Sequence, residues 1–322
     1  MTGPGEARME IRDAPIPSPG PSQITVDVAY AGVNFADVMV WRGDHAYGAG
    51  WPYVPGLEVS GRIREVGEEV TGLRRGQPVL AYTPGGGFAD VAVAGSEFVV
   101  PLSPTVDLAL AATVPVTLST AELLLAEGIR VRAGDRLLIH SAGGGLGLAL
   151  AALARRCGAV AIVGTVGSAA KASIAMRHGY DEAIVRGPGW CEQARRAIGG
   201  RGYTAVLSPL GTDLLTDDLS VTATNGKILR FGNAPGNPHE ALPALGTLNT
   251  GNIAVGGFSR RAMAKADSAR VARALVDTAN MLTDGLSIPV VKVGGLQQVP
   301  ALLSRMLRGE TAMKHVIEVG AC

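Results

Sequence analysis

The run HSAGGGLGLALAALARRCGA, His140–Ala159, sets a glycine cluster between an apolar segment, RLLI, and an Ala/Leu-rich stretch that ends in two arginines. Its spacing is Ala142-x-Gly144-x-x-Gly147, a dinucleotide fingerprint with alanine in place of the first glycine. In such a loop Gly144 would let the backbone approach a pyrophosphate, and Gly147 would let a helix pack closely on its strand. The helix N-terminus adds free N–H groups and the positive end of its dipole. The motif alone leaves a second reading open, a tight strand-to-helix turn that binds nothing.

About twenty residues further on, an NAD site carries Asp or Glu for the ribose 2′-hydroxyl. Here the strand-like VAIVGTV ends in Gly164-Thr165-Val166-Gly167-Ser168, and no acidic residue occurs between Gly158 and Tyr180. Lys171 and Arg186 flank the gap instead. A missing carboxylate with two cations suits a 2′-phosphate, hence NADPH. The plainer reading of each cation is a solvated first-turn lysine and a surface-loop arginine.

The elements that must position these residues follow from periodicity. Up to about residue 110 the chain reads as short strands between turn signals: Gln23–Val33, Glu58–Gly67, Arg75–Tyr82 and Phe88–Gly95. Glycines and prolines between them suit an antiparallel, barrel-like arrangement. From Asp107 the texture changes to helical segments around Pro115, and then strand-like and helix-like stretches alternate. That alternation predicts a parallel, doubly wound α/β sheet, with Gly251–Ser259 as its last strand. One long helix is expected over Ala264–Asp284, followed by PVVKVGG and HVIEVG, strands that return to the first domain.

With 322 residues, two domains are the expectation. The chain is 47% hydrophobic and 18% charged, a globular balance, and no uninterrupted apolar run reaches the ~18 residues of a membrane span. The Gly/Pro-rich, charged N-terminus lacks the apolar core of a secretory signal. A net charge of +1 without a long basic run argues against nucleic acid as a partner. Cys157, Cys191 and Cys322 are odd in number and widely spaced, which gives neither a disulfide framework nor a zinc cluster. A reduced, cytoplasmic setting is expected.

Five segments carry a specific resemblance: AGVNFADVMVWRG (Ala31–Gly43), PGLEVSGRIREVGEEVTGLRRGQPV (Pro55–Val79), the glycine loop, GTVGSAAK (Gly164–Lys171) and FGNAPG (Phe231–Gly236). In their order and spacing the chain resembles the zinc-independent quinone oxidoreductase branch of the medium-chain dehydrogenase/reductase superfamily. The resemblance implies an α/β fold: a GroES-like β-rich catalytic domain, expected over 1–112 and 259–322, interrupted by a Rossmann domain over 113–258, with the active site in the cleft between them. It implies NADPH held by Gly144, Gly145, Leu146 and Gly147, by Thr165, Val166, Gly167, Ser168, Lys171 and Arg186, and by Leu210, Phe231, Gly232, Asn233, Phe258 and Ser259. A homodimer follows by the same route, with GNIAVGGF as the pairing strand. The resemblance implies a further strand before the glycine-rich start, so two expectations stand: a barrel one strand short, or a misassigned start codon.

Zinc-dependent relatives have a cysteine near the position of Asn34 and a histidine where Leu57 stands before Glu58. The segment Thr117–Thr120 offers no thiol, and the four-cysteine lobe is absent. Catalytic zinc needs three suitable protein ligands, so no metal is expected.

Without a Lewis acid, the easier substrate is a conjugated enone, an enoyl thioester or a quinone, whose developing negative charge spreads to an oxygen that donors can hold. By resemblance Asn34 faces the nicotinamide and substrate, and Ser119 lies beside the nicotinamide. Their alternatives are a turn brace and a hydrogen bond within the helix. Asp37 would shape the turn after Asn34, and Glu58 would be structural. His45 and Tyr47 are candidate proton donors to the enolate carbon, with water as the alternative. Met39, Trp41, Trp51 and Tyr53 suggest a bulky, apolar acceptor. Two other readings stand beside a simple reductase: a reductive cyclase of a polyketide-derived metabolite, and a non-catalytic NADPH-binding protein.

Overall fold

The computed structural model describes residues 1–5, 8–44, 50–237 and 241–320. Its strands in chain order are β1 (Gln23–Val33), β2 (Glu58–Val66), β3 (Pro78–Tyr82), β4 (Val91–Gly95), β5 (Val99–Pro101), β6 (Arg136–His140), β7 (Ala161–Val166), β8 (Glu182–Val185), β9 (Tyr203–Ser208), β10 (Thr222–Arg230), β11 (Ala254–Gly257), β12 (Val290–Gly294) and β13 (Lys314–Glu318). The chain divides into two compact units, Met1–Ser119 with Met263–Cys322, and Thr120–Ala262. The expected divisions lay a few residues earlier in both places. The composition shifts where the helical run Leu108–Ile129 begins, whereas the first division falls inside that run.

In the first unit the sheet order is β12-β13-β1-β2-β3-β5, with β4 also on β1. β1 organises it. Gln23–Asp27 pairs with β4, Tyr30–Val33 pairs with β13, and β2 runs along the other edge. Register shifts at Thr25/Val26 and Val28/Tyr30 mark irregularities in the β1–β2 ladder, the kind of local bend that curls a sheet. Ile24, Val26, Val59, Ile63, Val79 and Ile317 fill the core beneath it. Among the described residues no strand precedes Gln23.

Two segments differ from expectation. Phe35–Arg42 is a helix, closed by Gly43 in the left-handed region at φ 85°. The single helix expected over Ala264–Asp284 is two, Arg260–Ala266 and Ser268–Thr283. Asp267 separates them by capping the second, its Oδ1 accepting from Arg270 N at 3.1 Å.

The second unit is an all-parallel sheet in the order β11-β10-β9-β6-β7-β8. Strand order reverses between β6 and β9, the switch point at which open α/β sheets bind ligands beyond the carboxyl ends of their strands. Leu138, Val163, Val206 and Ile228 pack from neighbouring strands, and Trp190 and Tyr203 join the same core. β11 ends the sheet, as expected for Gly251–Ser259. The helical run Leu108–Ile129 is long and apolar enough to cross a membrane by length and composition, yet 78% of its most apolar window is buried inside the protein.

Candidate functional site

In the first unit, Asn34 follows β1 directly and caps the helix Phe35–Arg42. Its backbone N–H donates to Asp37 Oδ2 at 2.8 Å, while Gly56 N donates to Asp37 Oδ1 at 3.1 Å. Asp37 thus fixes the turn. Burial pushes its carboxyl up to about 6, against the two backbone donors and the Lys314 charge, which pull it down; Glu58 adds a smaller upward push.

The Asn34 side chain is largely committed to protein partners. Nδ2 donates to Glu58 Oε1 at 2.9 Å, and Oδ1 accepts from Lys314 Nζ at 2.9 Å and from Thr117 Oγ1 at 3.3 Å. Its second amide hydrogen is directed at Gly32 O at 3.5 Å, too long to hold it firmly. This is the longest of the Asn34 side-chain bonds. Glu58 is buried and takes Lys314 Nζ on Oε1 at 2.5 Å and Val116 N on Oε2 at 2.7 Å. The Lys314 ammonium has three hydrogens and three acceptors, Val33 O at 2.7 Å, Asn34 Oδ1 and Glu58 Oε1. An amide, the alkyl side chain of Leu57 and an ion-paired carboxylate are not the thiolate and imidazole set that zinc takes. The residues present do not fit that metal.

Ser119 is fully buried, and its Oγ donates to Pro115 O at 2.8 Å, back along its own helix. Met39 and Trp41, read from sequence as signs of a bulky, apolar acceptor, are corrected. They lie on the helix Phe35–Arg42, 6% and 5% exposed, and Trp41 belongs to the core. Trp51 is exposed, and Tyr53 packs partly buried against that core. His45 and Tyr47 lie outside the described residues.

In the second unit the expected cofactor residues gather at the carboxyl ends of the parallel strands. The glycine loop leaves β6 and enters the helix Gly145–Arg156 at Gly144, with no side chain capping that end. A methyl on Gly147 would stand 2.5 Å from Ser141 O, so the helix reaches its strand only because the side chain is missing. A methyl on Gly143 would stand 2.9 Å from Lys171 Cβ, which seats Lys171 directly against the loop. After β7, Ser168 caps the helix Ala169–Arg177 by accepting from Lys171 N at 3.4 Å.

Arg186 follows β8. Its Nη1 donates to Thr165 Oγ1 at 3.1 Å, and its Nη2 lies 3.8 Å from where a Gly167 side chain would begin. Burial pulls the Lys171 ammonium below its usual value, and the Arg186 charge lowers it further; burial lowers Arg186 too. These are two part-buried cations held close to each other, a cradle for an anion. The loop after β9 meets the loop after β10 through a Leu210–Asn233 bridge, with Phe231 N on Ser208 O at 3.1 Å. Gly232 lies between Phe231 and that bridge. Phe258 N donates to Arg230 O at 2.7 Å beyond β11, and Ser259 Oγ accepts from Ala262 N at 3.2 Å.

Sequence reading missed Lys314, and it missed His140 with Asp218, which form a buried pair beneath Thr165. The available signal was a charged residue at the start of the strand-like KHVIE and an imidazole closing the buried run RLLIH.

Comparison with known proteins agrees with this geometry. Residues 20–104 match the alcohol dehydrogenase GroES-like domain and residues 145–277 match the zinc-binding dehydrogenase family. The quinone oxidoreductase of Sus scrofa is 30% identical over 223 residues, 69% of this chain and 68% of that one. The curated relatives matched first are covered over about two thirds of their length. A quinone oxidoreductase structure from Pseudomonas syringae is 26% identical with a TM-score of 0.87, covering 98% of this chain and 97% of its own. The Escherichia coli quinone oxidoreductase complexed with NADPH, at 21% identity, a TM-score of 0.87 and the same coverage, shares the fold. The chain therefore belongs to the medium-chain dehydrogenase/reductase superfamily, in its quinone oxidoreductase-like branch, and is an oxidoreductase working with a nicotinamide dinucleotide.

Proposed function

We propose that this enzyme is an NADPH-dependent, zinc-independent reductase acting on a quinone or a conjugated C=C bond. One observation carries the cofactor choice: the end of β7 has no carboxylate, and Lys171 and Arg186 stand there together. NADPH, when bound, supplies the hydride. The uncapped N-terminus of the helix Gly145–Arg156 would receive the pyrophosphate, and Ser168, Lys171 and Arg186 the 2′-phosphate. An arginine offers phosphate oxygens a planar fork, whereas a lysine offers a point charge.

The zinc-independence rests on the donor set. Where a metal would need thiolate and imidazole, this chain has Asn34 and Leu57, and Glu58 is already neutralised by Lys314. A quinone or enone suits such a site, because charge arriving with the hydride spreads onto an oxygen that a single N–H can hold. The Asn34 amide hydrogen on the long, weak bond to Gly32 O is the one that would turn to that task. The case for a bulky, apolar acceptor is reduced to Trp51 and Tyr53, since Met39 and Trp41 are in the core. In the cell we expect a cytoplasmic homodimer paired through the edge strand β11, with a small-molecule substrate and neither nucleic acid nor membrane as partner.

Charge-assisted hydrogen bonds contribute roughly 1.5–3 kcal/mol each. Lys171→Ala and Arg186→Ala are therefore each expected to weaken NADPH about tenfold or more while leaving NADH nearly unchanged. Calorimetry with both cofactors on wild type and both variants tests this. Equal affinity of the wild type for NADH and NADPH, or equal losses for both in the variants, refutes the assignment. Product analysis after incubation with NADPH and quinones or enones tests the acceptor class.

A further inference from the structure

We propose that the buried His140–Asp218 pair is a positioning element for Arg186, so that preference for a phosphorylated dinucleotide is set behind the residue that touches the phosphate. The inference rests on the assignment of Arg186 to the 2′-phosphate. His140 and Asp218 are each 1% exposed and Thr165 is fully buried, and the hydride chemistry proposed above uses none of them. His140 is the last residue of β6, Thr165 lies near the end of β7, and Asp218 lies on the helix Leu215–Val221 that follows β9. They meet in a line. His140 Nε2 is 2.7 Å from Asp218 Oδ1, His140 Nδ1 is 2.6 Å from Thr165 Oγ1, and Arg186 Nη1 donates to Thr165 Oγ1 at 3.1 Å. The edge of Trp190 closes over the imidazole, with ring centroids 5.6 Å apart.

The proposed arrangement runs the line in one direction, with His140 neutral and its proton on Nε2. A guanidinium only donates, so the Thr165 oxygen accepts from Arg186. The Thr165 hydrogen then needs another acceptor, and His140 Nδ1 stands within reach. An Nδ1 that accepts leaves the proton on Nε2, where the Asp218 carboxylate takes it. Each bond thus orients the next, ending with the Arg186 guanidinium held on Thr165 and beside Gly167. Arginine carries much rotamer freedom, and binding an anion with an unanchored one forfeits affinity to ordering. A carboxylate used only to tie a helix to a strand would need no polar path to the cofactor end of β7.

Removing the acceptor frees the Thr165 hydroxyl to turn its hydrogen toward Arg186. The test uses His140→Phe, which keeps a ring against Trp190, Thr165→Val, which keeps the shape, and His140→Asn, which keeps an acceptor near Nδ1. Fluorescence titration gives the ratio of NADH to NADPH dissociation constants in each, and in the same variants carrying Arg186→Ala. The ratio is expected to fall about five- to tenfold in His140→Phe and Thr165→Val, the weight of one hydrogen bond. It should be retained in His140→Asn and show no further fall once Arg186 is gone. Nitrogen-15 spectra of the wild type should show His140 protonated at Nε2, which keeps the inference testable if His140→Phe does not fold. A proton on Nδ1, or an unchanged ratio in a wild type that favours NADPH, overturns this inference alone. A wild type that binds both cofactors equally removes the cofactor assignment and the inference with it.

Discussion

The Asn34–Glu58–Lys314 cluster and the Ser168–Lys171–Arg186 group both gather charge, and they do so under opposite rules. In the first, a 3% exposed ammonium and a fully buried carboxylate face each other, and each ammonium hydrogen has an acceptor. In the second, two part-buried cations lie near each other, each lowered by its burial and Lys171 lowered further by Arg186. Like charges held together raise the energy of the free protein, and an arriving anion relieves that strain. The balanced cluster builds the fold, whereas the second keeps two like charges near each other at the end of β7. The same contrast explains why Glu58, despite its burial beside Asn34, is a poor candidate for acid–base work: its oxygens are already engaged.

The largest effect should come from unbalancing the balanced cluster. Lys314→Met leaves Glu58 buried without its cation, and is expected to lower the unfolding free energy by about 3–5 kcal/mol. Pairing it with Glu58→Leu should return much of that loss. Urea titration of the three variants measures both, and a Lys314→Met protein as stable as wild type would break the comparison. Next is Asn34→Ala. If the amide hydrogen on its long bond to Gly32 O turns to hold the developing charge, turnover falls ~10²–10³-fold while the NADPH dissociation constant stays put. A loss of stability with unchanged turnover would place Asn34 wholly on the structural side.

The smallest expected effect sharpens the contrast, because Asp37, bonded to the Asn34 N–H, is a buried carboxyl whose burial outweighs its two backbone donors and the Lys314 charge. Its carboxyl rises from 3.8 to about 6 in the folded protein, mainly through burial. A raised folded value means the proton binds the folded state more tightly than the unfolded one. The resulting stabilisation is complete below about pH 4 and is lost as pH rises through about 6, a difference of about 3 kcal/mol. Urea titrations across that window, wild type against Asp37→Ala, should show the wild type losing its extra stability as pH increases. The reverse slope would mean that the two backbone donors outweigh burial.

What the sequence determined by itself was local. The glycine loop, the missing acid after β7 and the alternating strands and helices are encoded within a few residues, because hydrophobic period and turn chemistry act at that range. The short helix Phe35–Arg42 escaped because most of its residues are buried, from Asp37 through Trp41, and show no clean 3.6-residue stripe. Met39 and Trp41 were misread with it. Only tertiary structure brought Lys314 to Asn34, 280 residues away, and Asp218 to His140, 78 residues away. Contacts of that length are set by which strands pair and which helix packs where, and no pattern within a window records them. The sequence therefore names the groups proposed to meet a dinucleotide, while the fold decides which buried charges face each other.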